Sequence, residues 1–176
     1  MQPSRTIYLI GPRACGKTSL GLALAQKLGL EFVDTDHELV RAAGMEIADI
    51  VEQRGWDAFR DLEAETLARV AAGPVRVVGC GGGIVLRDEN RAALARGVVI
   101  YLKVEPRELA RRLMADPNEA QRPSLTGKGL VDEIGDILAQ RAPLYEECAD
   151  IVLSPADLPG MVEAAERELK LFFEHF

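Results

Sequence analysis

Gly11-Pro12-Arg13-Ala14-Cys15-Gly16-Lys17-Thr18 is the stretch that decides the fold. The apolar run from Thr6 to Ile10 precedes it, and the helix-forming stretch from Ser19 to Leu28 follows. This is G-x-x-x-x-G-K-[ST] between a strand and a helix, the setting in which the pattern describes a phosphate cradle. Gly11 and Gly16 let the backbone turn tightly around a phosphate chain. Unpaired N–H groups at the helix start point into the same space. Lys17 brings an ammonium to the outer phosphates, and the Thr18 hydroxyl can ligate Mg²⁺. The plain alternative is a glycine-rich turn beside an ordinary surface lysine. Lys17 and Thr18 at the required places, with both flanks correct, argue against it. The expected ligand is a purine nucleoside triphosphate.

The chain has 176 residues, 48% of them hydrophobic and 28% charged, which suits a single α/β domain over residues 1–176. A net charge of −7, with no run of Lys or Arg, weighs against a nucleic-acid partner. The opening apolar run is too short for a signal peptide, and no segment has the length of a membrane span. Cys15, Cys80 and Cys148 are odd in number and widely spaced, so neither a zinc site nor a disulfide framework is suggested. These features lead us to expect a cytoplasmic monomer.

Strand periodicity is expected at 6–10, 32–33, 75–78, 98–102 and 151–153. Helices are expected at 17–28, 37–43, 56–72, 88–96, 106–114, 131–141 and 160–173. Gly44 and Gly55 interrupt the region after the second strand, where Ile47, Ile50 and Val51 form a short apolar face. The stretch 116–129 is polar and contains Pro117, Pro123 and two glycines, so it is read as irregular. Strands alternating with helices, and a phosphate loop closing the first strand, imply a parallel sheet with helices on both faces.

A second layer of chemistry follows at the carboxyl ends of later strands, where open α/β sheets place ligands. Asp34 and Asp36 can divide two tasks, one reaching Mg²⁺ through its water shell and the other holding an acceptor hydroxyl. The competing reading is turn chemistry, with Asp36 capping the next helix. Gly81-Gly82-Gly83 offers bare backbone N–H groups to a hydroxyl or phosphate. It does not complete a dinucleotide fingerprint, because the position that would need glycine is Ile84. Arg60, Arg141 and Arg122 each have an ordinary reading as a helix-surface pair, a carbonyl cap and a solvated loop residue. An arginine-bearing segment opposite a phosphate loop is nevertheless what exclusion of water from phosphoryl transfer requires.

Together these elements resemble the shikimate kinase family. The signature runs through the phosphate loop, Phe32-Val-Asp-Thr-Asp36, Gly55-Trp-Asp-Ala-Phe-Arg60, Gly81-Gly-Gly83, Arg122-Pro-Ser-Leu125 and Arg141-Ala-Pro-Leu-Tyr145. Its order and spacing cover nearly the whole chain. The resemblance implies a five-stranded parallel sheet of order 2-3-1-4-5 with a lid at about 114–128. It also implies transfer of the ATP γ-phosphoryl group to the 3-hydroxyl of shikimate. Nucleotide contacts are then expected at Gly11, Ala14, Cys15, Gly16, Lys17, Thr18 and Ser19, with Arg112 on adenine and Arg122 on the phosphates. The metal residues are Thr18 and, through water, Asp34. Asp36 is expected to hold the ring hydroxyls and accept the proton, so Lys17, Asp36 and Arg122 form the catalytic set. Arg60 and Arg141 would clamp the carboxylate, while Gly81, Gly82 and Gly83 give backbone contacts. Cys80 stands where the family commonly has threonine, and the base is placed at the loop Ser154–Asp157.

Three alternatives differ at recognisable positions. A kinase for another polyol acid, such as gluconate, would share the phosphate loop but lack the Asp36, Arg60 and Arg141 set. A regulatory GTPase would need an Asn-Lys-x-Asp guanine reader, and Asn90 and Asn118 precede Arg91 and Glu119. A binding module without catalysis would have no use for intact Lys17, Thr18, Asp34 and Asp36.

Overall fold

The structure is a computed structural model and describes residues 3–115 and 130–175. Five parallel strands form one sheet in the order β2-β3-β1-β4-β5. They are β1 (Ile7–Ile10), β2 (Phe32–Asp34), β3 (Val77–Gly79), β4 (Val98–Leu102) and β5 (Ile151–Leu153). The helices are α1 (Lys17–Leu28), α2 (Thr35–Ala43), α3 (Ile47–Ala71), α4 (Asp88–Leu94), α5 (Pro106–Ala115), α6 (Leu130–Cys148) and α7 (Leu158–His175). A 3₁₀ turn at Ile84–Leu86 follows the glycine run. No helix among the described residues is long and apolar enough to cross a membrane.

Central strands read as continuous apolar runs because both of their faces are covered. Every residue of β1 and β4 is buried. Alternate side chains divide between two cores. Ile7 and Leu9 pack with Leu20, Leu24, Leu109 and Leu169 on one side, and Tyr8 and Ile10 with Leu67, Leu94 and Tyr145 on the other. The pairing of Leu9 with Gly79 and of Asp34 with Gly79 aligns the carboxyl ends of β1, β2 and β3. The loops that carry the chemistry therefore leave the sheet side by side.

A third, smaller core of Leu39, Ile50 and Phe59 joins α2 to α3 beyond the sheet edge. Gly55, at φ 81 and ψ 171, breaks the helical path of α3. The interruption expected at this glycine is thus a kink between two helical halves, and Trp56 and Phe59 just beyond it line the same cavity as the glycine run.

Three boundaries differ from expectation for physical reasons. The second helix starts at Thr35, because the Asp34 side chain accepts hydrogen bonds from the N–H groups of Asp36 and His37. The capping role proposed for Asp36 belongs to Asp34. Helix α4 begins at Asp88 as expected but ends at Leu94 rather than 96, because the Gly97 N–H donates to the Leu94 carbonyl and closes the chain into a turn. Helix α6 does not end at Pro143 but runs to Cys148. A proline inside a helix costs about 3 kcal/mol. Burial of Leu138 and Tyr145 on the same helix, at roughly 2 kcal/mol each, offsets it.

Candidate active site

The phosphate loop is built by backbone constraint. Gly11 sits at φ 142, and a β-carbon there would lie 2.9 Å from the Leu102 carbonyl oxygen. Gly16 occupies the position before α1 in the left-handed region, at φ 100. Ala14 also has a positive φ, 60, the one non-glycine among the described residues to do so. No side chain caps α1, and its first turn carries no acid, so its leading N–H groups are open to an anion without competition.

Lys17 folds back over the loop. Its ammonium donates to the carbonyls of Gly11 (2.9 Å) and Pro12 (2.7 Å), and approaches the buried Cys15 sulfur at 3.5 Å. Arg112, on α5, donates from Nη1 to the Ala14 carbonyl at 3.2 Å and from Nε to Glu108 at 2.7 Å. It therefore braces the outer side of the loop at its strained residue. The Ser19 side chain is exposed at the start of α1. Beyond β5, Asp157 accepts from the Gly160 N–H and caps α7.

Thr18 Oγ1 donates to Asp34 Oδ2 across 3.4 Å. The two residues singled out for Mg²⁺ are thereby joined at the mouth of the loop. Both offer hard oxygen donors, which suits a small cation that keeps several waters and shares phosphate oxygens. No cluster of three or more His, Cys, Asp or Glu side chains among the described residues could hold a metal unaided.

Next to this loop lies a cavity of about 670 Å³, with Asp36, Arg60, Glu63, Arg141 and Gly81–Gly83 among its lining residues. Trp56 and Phe59 form an apolar wall, and Arg13 reaches it from the phosphate loop. The Arg60 guanidinium carbon lies 5.6 Å from the Trp56 ring centroid and 5.0 Å from that of Phe59. Its Nη1 pairs with Glu63 Oε2 at 2.8 Å, with side-chain exposures of 13% and 2%. The surface-pair reading of Arg60 therefore fails: the ion pair exists, but it is buried against the cavity. Arg141 is buried on α6 and faces the glycine run from the other side, with Nη1 3.7 Å from where a Gly82 β-carbon would sit.

The glycines are explained by what approaches them. A β-carbon on Gly81 would lie 2.6 Å from Asp36 Oδ1 and 2.9 Å from Glu63 Oε1, and one on Gly83 would lie 2.2 Å from Arg60 Nη1. Cys80 is buried behind them, and burial raises its thiol far above the ordinary range. It lies among packing residues rather than on the cavity wall.

The structure gathers Lys17, Thr18, Asp34, Asp36, Arg60, Gly81, Gly82, Gly83 and Arg141 around one continuous face. Arg122 and most of the expected lid, 116–128, lie outside the described residues. Glu63 was missed in the sequence because acids crowd that helix. Its phase with Phe59, Leu67 and Val70 was the available signal, since those positions share one helical face. Burial raises the Glu63 carboxyl above the ordinary value; Arg60 opposes this less strongly, and nearby Asp36 adds to the rise. Thr35 and Tyr145 were likewise passed over, although both are buried and hydrogen-bonded to the glycine run.

A family model described as shikimate kinase matches residues 13–169. Shikimate kinase 2 of Enterobacter sp. (strain 638) is 48% identical over 160 residues, covering 90% of this chain and 91% of that protein. Among solved structures, shikimate kinase from Acinetobacter baumannii in complex with shikimate aligns with a TM-score of 0.86 at 34% identity, covering 99% and 95% of the two chains. A gluconokinase from Sinorhizobium meliloti 1021 aligns over the full length of both chains, with a TM-score of 0.58 and 17% identity, which is a likeness of fold.

Proposed function

The chain belongs to the shikimate kinase family, and from that premise we propose how its residues transfer the ATP γ-phosphoryl group to the 3-hydroxyl of shikimate. The carrying observation is the juxtaposition of an anion-binding loop with a cavity that presents two arginines and an acid together. A cyclic acid with neighbouring hydroxyls matches that arrangement. Its carboxylate meets Arg60 and Arg141, and its hydroxyls meet Asp36 and the glycine backbone. An acyclic polyol acid has no rigid ring to span these groups simultaneously.

In the proposed reaction, the loop N–H groups and Lys17 bind the phosphates. Lys17 exchanges its two loop carbonyls for phosphate oxygens, so its charge is delivered only when nucleotide is present. The acceptor oxygen forms its bond to the γ-phosphorus as the bond to the β-bridging oxygen breaks. The hydroxyl proton passes to the Asp36 carboxylate, and ADP leaves. Mg²⁺, held by Thr18 and through water by Asp34, would neutralise charge on the phosphates. Arg112 bears on the nucleotide through the loop it braces and through the adenine that lies against it.

We place the enzyme in the cytoplasm as a monomer acting on two small molecules, shikimate and ATP, without nucleic acid or membrane. Its three unpaired cysteines support a reducing compartment. The test is ADP release from Mg·ATP with shikimate or gluconate as acceptor. Turnover that requires shikimate supports the assignment. Turnover with gluconate alone, or only slow hydrolysis, contradicts it.

A further inference from the structure

Counting the backbone groups of Gly81–Gly83 shows how this segment is held. The Gly81 N–H donates to Thr35 Oγ1 at 3.0 Å, within the buried interior. The Gly81 carbonyl accepts from the Ile84 N–H (3.1 Å) and the Gly83 carbonyl from the Leu86 N–H (3.0 Å). The Gly82 carbonyl accepts from the Tyr145 hydroxyl. All three carbonyls are therefore occupied, and the N–H groups of Gly82 and Gly83 have no partner among the described residues. Both residues line the cavity, so two donors without a partner among the described residues are available there to a ligand oxygen.

Two side-chain hydroxyls from opposite directions fix this presentation. Thr35 lies between the two aspartates at the start of α2, so its bond ties Asp36 to the glycine run. Tyr145 is one helical turn beyond Arg141 on α6 and fully buried, stacked on Tyr101 with ring centroids 5.1 Å apart. The Arg141 guanidinium lies beside the same hydroxyl, where its charge and hydrogen bonding oppose the upward push of burial on the phenol. Tyr145 thus holds the carbonyl of Gly82, the residue that Arg141 Nη1 also approaches. Glycine has no side chain to hold it in place, and such a segment keeps one conformation only if it is tied.

We infer that Thr35 and Tyr145 are positioning residues for the acceptor: Thr35 holds the glycine run beside Asp36, and Tyr145 holds it beside Arg141, so that the Gly82 and Gly83 N–H donors keep a fixed place between them. Neither need touch shikimate. Each converts a flexible glycine segment into a donor pair at fixed distance from the groups that hold the ring.

This inference rests on the acceptor reading above, and the test separates the two. KM values for shikimate and ATP, kcat and Tm are measured for wild type, Tyr145→Phe, Thr35→Val and Thr35→Ser. Wild-type turnover without shikimate dependence defeats the acceptor reading itself. Given that dependence, Tyr145→Phe and Thr35→Val should each raise the shikimate KM about ten-fold, with the ATP KM within about twofold. Thr35→Ser, which keeps the hydroxyl, should return close to wild type. A shikimate KM within about twofold of wild type in either variant, or equal movement of both KM values, overturns the inference. Should Tyr145→Phe fail to fold, the Thr35→Val and Thr35→Ser pair decides by itself.

Discussion

Arg60 and Glu63 form a buried ion pair, Nη1 to Oε2 at 2.8 Å, on the wall of the cavity beside the phosphate loop. The second carboxylate oxygen of Glu63 has no hydrogen-bond partner among the described residues and faces Gly81 beside Asp36. One turn of helix thus supplies both the cation proposed to meet the substrate carboxylate and the anion that aims it. Removing the anion leaves a desolvated guanidinium without its counter-charge. Glu63→Ala should cost about 3 kcal/mol of stability and raise the shikimate KM about ten-fold, with the ATP KM little changed. Chemical denaturation and steady-state kinetics measure the two effects. An unchanged shikimate KM would show that Arg60 is positioned without it.

The same carboxylate gives a pH signature. Burial raises the folded-state Glu63 above its ordinary value of 4.5, so the folded chain binds that proton more tightly than the unfolded chain. Its contribution is present below 4.5 and is lost as pH rises through the folded value. Glu108 behaves oppositely. Hydrogen bonds from Arg111, then Arg112, pull its carboxyl down from 4.5 to about 2, so its contribution holds above 4.5 and is lost as pH falls toward 2. Glu63→Gln, which mimics the protonated acid, should gain Tm relative to wild type as pH rises from 4.5. The Tm difference between wild type and Glu108→Gln should shrink as pH falls below 4.5. Thermal scans across pH for the three proteins check both slopes.

Gly83 tests the cavity wall by steric means alone. Its φ of −95 is open to any residue, so alanine brings no backbone strain. The added β-carbon would lie 2.2 Å from Arg60 Nη1, and Arg60 is held by Glu63 and two aromatic rings. Gly83→Ala should therefore displace the guanidinium and weaken shikimate binding about ten-fold or more while leaving nucleotide binding intact. Calorimetric titration with each ligand separately reads this directly.

On the nucleotide side, Arg112 holds the carbonyl of Ala14, the residue at φ 60. Arg112→Ala should raise the ATP KM several-fold, on the order of 1 kcal/mol, without changing the shikimate KM. It is the mirror image of the Gly83 experiment. Equal effects on both substrates would mean that the loop and cavity are not separable.

The sheet was legible because its central strands are continuous apolar runs and its breaks are glycines and prolines. Ile7–Ile10 and Val98–Leu102 could hardly be anything else. The phosphate loop was legible because Gly11, Gly16, Lys17 and Thr18 carry their meaning locally. What escaped was set by tertiary packing. Pro143 reads as a stop, yet helix α6 continues because Tyr145 has a core to enter. Glu63 reads as one more surface acid until Phe59 and Leu67 fix which face is inward. Thr35 and Tyr145 matter through bonds to glycines 46 and 63 positions away, which no local pattern reveals.

The central claim is that Asp36 handles the acceptor hydroxyl, and the most direct measurement is kcat of Asp36→Asn with saturating shikimate and Mg·ATP, beside its Tm. The substitution preserves shape and removes the carboxylate charge. Loss of the proton acceptor should lower kcat by about 10²-fold or more, with Tm close to wild type. A folded Asp36→Asn variant turning over at near the wild-type rate would contradict the account.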